Sequence, residues 1–145
     1  MPNIMRELNI ISRCQALYRA ARLDEELMPT HHSFALAICS APARSQEELA
    51  RALCLNTSTV TRTLLQMQER GLVRREENPA DKRELLVYPT QKLSDLLPRV
   101  RTIAREWTGQ ITKSVDPEEL AVFERVLHRL ATEARATVDR EEEKK

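Results

Sequence analysis

Apolar positions recur at helical spacing over most of the chain. Between residues 4 and 23, Ile10, Cys14, Leu17 and Ala21 form one stripe, while Ile4, Leu8, Ile11 and Tyr18 form a second. Two stripes exceed what a surface helix needs, so this helix is expected in the core or against a second subunit. Pro29 to Ala41 reads as a short helix with Phe34, Leu36, Ala37 and Ile38 apolar, ended by Pro42. Ser45-Gln46-Glu47-Glu48 is a capping box, with the Ser45 hydroxyl on the Glu48 amide and the Glu48 carboxylate reaching back. The helix it starts carries Leu49, Ala50, Leu53 and, at its edge, Leu55. After a brief turn, Asn56 or Thr57 caps a longer helix with Val60, Leu64 and Met67 inward. Gly71 follows Arg70 where a glycine ends a helix in the left-handed conformation.

The period then changes. Leu72–Glu76 and Glu84–Tyr88 are short strand-like runs separated by the polar turn Glu77–Arg83, which contains Asn78-Pro79. This predicts a β-hairpin with a charged tip as the only sheet. Residues 91–114 return to helix, with Pro98 expected to kink or break it. Asp116-Pro117-Glu118-Glu119 starts a last helix with Leu120, Phe123, Leu127, Leu130, Ala134 and Val138 on one face, fraying into the charged tail Asp139–Lys145. The expected class is mainly α with a small β-hairpin wing, in a single domain over 1–145. Within it, residues 29–90 are expected to form a winged helix-turn-helix lobe, and 1–28 with 91–145 a flanking helical region open to contact with a second subunit.

Composition narrows the function. Two glycines in 145 residues leave no glycine-rich phosphate loop. No G-x-S-x-G or H-E-x-x-H motif is present either, and no enzyme activity or cofactor is expected. Cys14, Cys39 and Cys54 are widely spaced without a C-x-x-C pair, which argues against a disulfide framework or a thiolate zinc site. No stretch has the length and apolarity of a membrane span, so a cytoplasmic protein with no membrane partner is expected. The net charge of +1, from 23 basic and 22 acidic side chains, gives no hint of nucleic acid by itself.

Local placement does. The order helix, turn, helix, hairpin over residues 45–88 is a winged helix-turn-helix pattern, and the second helix opens Asn56-Thr57-Ser58-Thr59-Val60-Thr61-Arg62-Thr63. A helix entering the major groove needs a small, polar, donor-rich outward face. Capping needs only one hydroxyl, and this segment holds five Ser/Thr between 57 and 63. Ser and Thr bond base edges or phosphates, and Arg62 reaches a guanine or a phosphate. The hairpin carries Asp81-Lys82-Arg83, a cationic tip suited to straddling a phosphate backbone or entering a narrow minor groove. Asp81 fits there as the residue that orients Arg83 through a bidentate pair. The candidate DNA-binding set is Ser45, Thr57, Ser58, Thr59, Thr61, Arg62, Lys82 and Arg83. From Arg44 to Arg83, eight basic and six acidic side chains leave a local net of +2.

Ser45-x-x-Glu48-Leu49-Ala50, Ser58-Thr59-Val60-Thr61-Arg62 and Leu64-x-x-Met67-x-x-Arg70-Gly71-Leu72-Val73 follow one another at fixed spacing. Asp81-x-Arg83 and Leu86-Val87-x-Pro89-Thr90 complete the series. Together with the flanking helices, these blocks make the chain resemble the MarR family of bacterial transcription regulators over nearly its whole length. The resemblance implies an obligate homodimer with intertwined terminal helices, binding double-stranded DNA at a pseudo-palindromic operator, most often as a repressor. It also implies that Thr57, Ser58, Thr61 and Arg62 face the major groove and that Arg83 enters the minor groove. After the second wing strand, Pro89-Thr90-Gln91-Lys92-Leu93 departs from the family's Leu-Thr followed shortly by Gly.

Family members respond to small molecules, peroxides or zinc. Cys14-x-Ala16-Leu17-Tyr18 is similar to the surroundings of the reactive cysteine in organic-hydroperoxide sensors, which makes Cys14 the candidate redox residue. Those sensors have tyrosines at the second helix where this chain has His31 and His32, and a free Cys in an apolar stripe is most often a small hydrophobe. His31 and His32 are candidate effector-pocket residues. With Asp24-Glu25-Glu26 and His128 they offer zinc ligands, but adjacent helical histidines diverge, so no metal is assigned. The competing classes are a peroxide sensor through Cys14 and a winged-helix protein-interaction module without DNA binding.

Overall fold

A computed structural model describes residues 1–22 and 26–145 of the protein. The elements are α1 (Ile4–Ala20), a 3-10 turn (Pro29–His31), α2 (His32–Ser40), β1 (Arg44–Ser45), α3 (Gln46–Leu53), α4 (Thr57–Glu69), β2 (Val73–Asn78), β3 (Asp81–Pro89), α5 (Gln91–Thr112) and α6 (Pro117–Glu143). They divide into two compact units, Met1–Trp107 and Thr108–Lys145, with the boundary inside α5.

The core of the first unit gathers around α4. Val60, Leu64 and Met67 are wholly buried with Leu49 of α3, Ile38 of α2, Val87 of β3 and Leu93 of α5. Burying each such side chain stabilises the unit by roughly 1.5–3 kcal/mol. Local signals set the helix ends. The Ser45 hydroxyl accepts from the Glu48 amide at 3.1 Å, and the Glu48 carboxylate accepts from the Ser45 amide at 3.3 Å. Asn56 is the cap of α4, its side-chain oxygen accepting from the Thr59 amide at 2.8 Å. Gly71 lies at φ +73°, and the Gly71 and Leu72 amides return to the carbonyls of Gln68 and Met67, both at 2.9 Å. This paired closure ends α4 and turns the chain straight into β2.

Several sequence expectations change. The sheet has three strands in the order β1-β3-β2, all antiparallel, because Arg44 and Ser45 pair with Val87 and Leu86. Two residues are too few to show alternation, so β1 left no pattern in the sequence. The hairpin connection shortens from Glu77–Arg83 to Pro79-Ala80, because main-chain ladders form regardless of side-chain charge. The Ala80 amide donates to Asn78 Oδ1 at 3.0 Å, and Asn78 donates to Glu84 at 2.7 Å, closing the tip. Leu55 is exposed. α5 runs unbroken through Pro98, and α6 stays helical to Glu143 where a frayed tail was expected. α5 begins at Gln91 because the Thr90 hydroxyl accepts from the Leu93 amide and donates to the carbonyls of Gly71 and Leu72.

His31 and His32 sit at the junction of the 3-10 turn and α2, both wholly buried. Among the described residues, none of their four ring nitrogens meets a partner in hydrogen-bond geometry. Burial pushes His32 from 6.5 down to about 4, helped by the nearby charge of Arg19. Burial also lowers His31, offset in part by the Gln66 side chain and reinforced by the charge of Arg70.

Two expectations follow from these positions. Gly71→Ala, forced to hold a positive φ, should lower stability by about 1 kcal/mol in denaturant unfolding. Gly109→Ala, at a helical position with open space around a Cβ, should raise it by about 0.5–1 kcal/mol. Below pH 6.5 the unfolded chain takes up protons that buried His32 excludes, so stability present above 6.5 is lost as the pH falls toward about 4. The expected loss from His32 is on the order of 3 kcal/mol. Unfolding of His32→Leu across pH 7 to 4 should show a correspondingly flatter profile; an unchanged profile would count against this account.

Candidate nucleic-acid interface

The apolar side of α4 faces the core, which leaves its first turns to solvent on the other side. Thr57, Ser58 and Arg62 are exposed there, whereas Thr59 and Thr61 are half-buried and Thr63 is buried. Ser58 donates to Asn56 Oδ1 at 2.9 Å, so the cap also orients this hydroxyl. Thr61 accepts at 3.4 Å from the side-chain amide of Gln46 in the first turn of α3. Amides unsatisfied within the helix and the positive end of its dipole lie at the same terminus, a setting that favours an anion. Cys54 at φ +53° makes the tight turn from α3 into α4.

Ser45 is placed differently from the rest of the set. It is 1% exposed, paired in β1, with its hydroxyl engaged in the capping box. It supports α3 from within and does not present a donor at the surface.

At the wing, Lys82 is exposed and the side chain of Arg83 is 94% exposed. One carboxylate oxygen of Asp81 accepts from the Arg83 amide at 3.1 Å and lies 3.5 Å from its Nε. Asp81 thus steers Arg83, through a single oxygen where a two-pronged pair was expected. On the outer face of the sheet Arg74 pairs with Glu76 and lies over the Tyr88 ring at 4.4 Å.

The sensing candidates fall elsewhere. Cys14 and Cys54 are exposed, and Cys39 is half-buried, with burial raising its thiol. His128 is exposed on α6. Of the acidic cluster weighed as zinc ligands, Asp24 and Glu25 lie outside the described residues. The described histidines, cysteines and acids form no group of three or more that could hold a metal ion. Sequence reading passed over Asn78, Gln46, Gln68 and Arg75. The first three are ordinary polar residues at helix or turn positions. Arg75 had a signal: it stands two residues after Val73, on what alternation makes an inward position.

Residues 36–85, from α2 into β3, match the MarR family model. A crystal structure of MarR superposes with a TM-score of 0.83 at 25% identity, covering 92% of this chain and 91% of that one. A MarR protein from Peptoclostridium difficile gives 0.88 at 20% identity, over 93% of this chain and 89% of that one. A putative MarR family transcriptional regulator from Listeria monocytogenes, complexed with 26mer DNA, gives 0.86 at 20% identity, over 94% and 91%. The family match runs through the helix-turn-helix into the wing, and the fold shared with these solved MarR proteins continues through the flanking helices.

Proposed function

We propose that this regulator works as a homodimer that binds a pseudo-palindromic operator in double-stranded DNA and represses transcription until a signal releases it. The observation that carries the proposal is the pairing of an exposed hydroxyl-and-arginine face on α4 with an exposed arginine on the wing. Thr57, Ser58, Thr61 and Arg62 read the major groove, with Thr59 beside them at the helix start. Arg83, held by Asp81 and flanked by Lys82, reaches the minor groove or its phosphates. The Listeria relative that shares this fold is complexed with DNA, which supports the reading. A cytoplasmic site of action goes with it, and among the described residues no helix is long and apolar enough to cross a membrane.

The dimer is supported by apolar surface that the single chain leaves open. On α1, Ile4, Met5 and Leu17 are exposed, and on α6 so are Val122, Phe123, Val126, Leu130 and Val138. Neither helix has a buried residue. Helices with apolar stripes of this length are covered in solution, and a second copy of the same two helices is the self-complementary partner. We assign residues 1–28 and 91–145 to that region and 29–90 to the DNA-binding lobe. A small polar effector is the signal favoured by the buried groups near α2. Among the described residues the nitrogens of His31 and His32 and Nε of Arg19 are buried without hydrogen-bond partners. Each neutral imidazole has one donor and one acceptor nitrogen, so a ligand that offers both acceptors and a donor would satisfy them.

The test is operator selection from random DNA with the full chain, followed by titrations across salt. Arg62→Ala and Arg83→Ala should each weaken binding to the selected site by about 1–3 kcal/mol, and a lost phosphate contact should reduce the slope of log K against log salt by about 1. If both variants bind as the wild type does, the DNA reading fails and the protein-interaction alternative takes its place. Phe123→Glu and Leu130→Glu should shift sedimentation toward the monomer. A dimer unaffected by both would remove α6 from the interface.

A further inference from the structure

The inward face of β2 starts with buried Val73, and alternation puts Arg75 next on that face, opposite buried Val87. A guanidinium there has to find acceptors, and it finds two neutral ones. Nε donates to Oε1 of Gln68 on α4 at 2.8 Å, and Nη1 donates to Oε1 of Gln46 on α3 at 2.9 Å. Gln46 in turn donates to the Thr61 hydroxyl at 3.4 Å. Thr61 and Gln68 lie seven residues apart, about two turns along one face of α4. The chain of bonds therefore leaves α4 in its last turn, crosses β2 and α3, and returns to α4 near its start. Beyond Arg75, β2 has no buried residue, so no further apolar packing on that strand fixes the direction of the wing.

We infer that Arg75 is a positioning residue for DNA recognition: its guanidinium clamps Gln46 and Gln68 to the base of the wing, so that Arg62 on α4 and Arg83 at the tip meet one duplex together. The inference rests on the DNA-binding reading above. Only arginine fills this place. Its planar fork reaches two oxygens on different elements at once, which the single ammonium of lysine cannot do. Because both acceptors are amides, the positive charge of Arg75 is not neutralised, and the alternative role is a direct phosphate contact. The two roles differ in what they do to salt dependence and to the contribution of Arg83.

The experiment uses the full-length protein and the site selected by the wild type, with anisotropy titrations across salt. Arg75→Ala should lower affinity roughly tenfold while keeping the wild-type salt slope. Arg75→Lys should not restore it. Arg83→Ala should cost far less affinity in the Arg75→Ala background than in the wild type, because an uncoupled wing no longer delivers Arg83. Gln68→Ala changes an exposed residue and leaves the charge of Arg75 in place. It should lose roughly threefold and speed amide exchange in residues 76–86 at unchanged global stability, and it carries the test if Arg75→Ala does not fold. A slope that falls by about 1 in Arg75→Ala, with recovery in Arg75→Lys, would overturn the inference in favour of a phosphate contact. Unchanged affinity in Gln68→Ala together with additive Arg75 and Arg83 effects would overturn it as well. Loss of binding in Arg62→Ala and Arg83→Ala but not in Arg75→Ala removes this inference alone. No effect in any of them removes the DNA reading and this inference with it.

Discussion

A helix that leaves its polar side open to solvent has to be held entirely from its other side. In this protein Val60, Leu64 and Met67 supply that hold, and the elements around α4 are arranged to receive them. α3 brings Leu49 and Ala50, the sheet brings Val73 and Val87, and α5 brings Leu93 and Val100. The end of α4 obeys the same constraint. Gly71 reverses the chain within one residue, so Val73 enters the core immediately after the helix stops. Thr90 then bonds the carbonyls of Gly71 and Leu72, tying the start of α5 to that turn.

The wing is the part least secured by apolar packing, and polar bonds take over there. Asn78 closes its turn, Asp81 steers Arg83, and Arg75 joins its base to α3 and α4. Acids in the lobe mostly have local tasks: Glu48 completes a cap, Glu76 pairs with Arg74, and Glu84 accepts from Asn78. A near-neutral chain thus keeps Arg62 on α4 and Arg83 on the wing exposed.

The terminal helices follow a different logic. α1 and α6 carry apolar stripes too, yet neither helix has a buried residue. In α4 the stripe closes a core, whereas in α1 and α6 it is surface. Periodicity measures which face of a helix avoids water; it does not say whose atoms cover that face.

Much of this was legible in the residues alone. The capping box at Ser45, the inward triad of α4, the left-handed Gly71 and the Asp116-Pro117 start are local chemistry, governed by neighbours three or four positions away, and each stands in the fold as the pattern predicts. What the sequence left open depends on residues far apart in the chain. β1 exists because Arg44 and Ser45 come alongside Val87 and Leu86, a pairing that two residues cannot signal. Ser45 changes from a candidate DNA contact to a buried cap, its backbone paired with Leu86 of β3 and its side chain shut off from solvent. His31 and His32 lose access to water for the same kind of reason, and the bonds of Arg75 span up to 29 positions. The sequence by itself determined the helices, their ends and the polar face of α4. Only the tertiary structure decided which polar side chains remain outside, because burial is set by what packs from elsewhere in the chain.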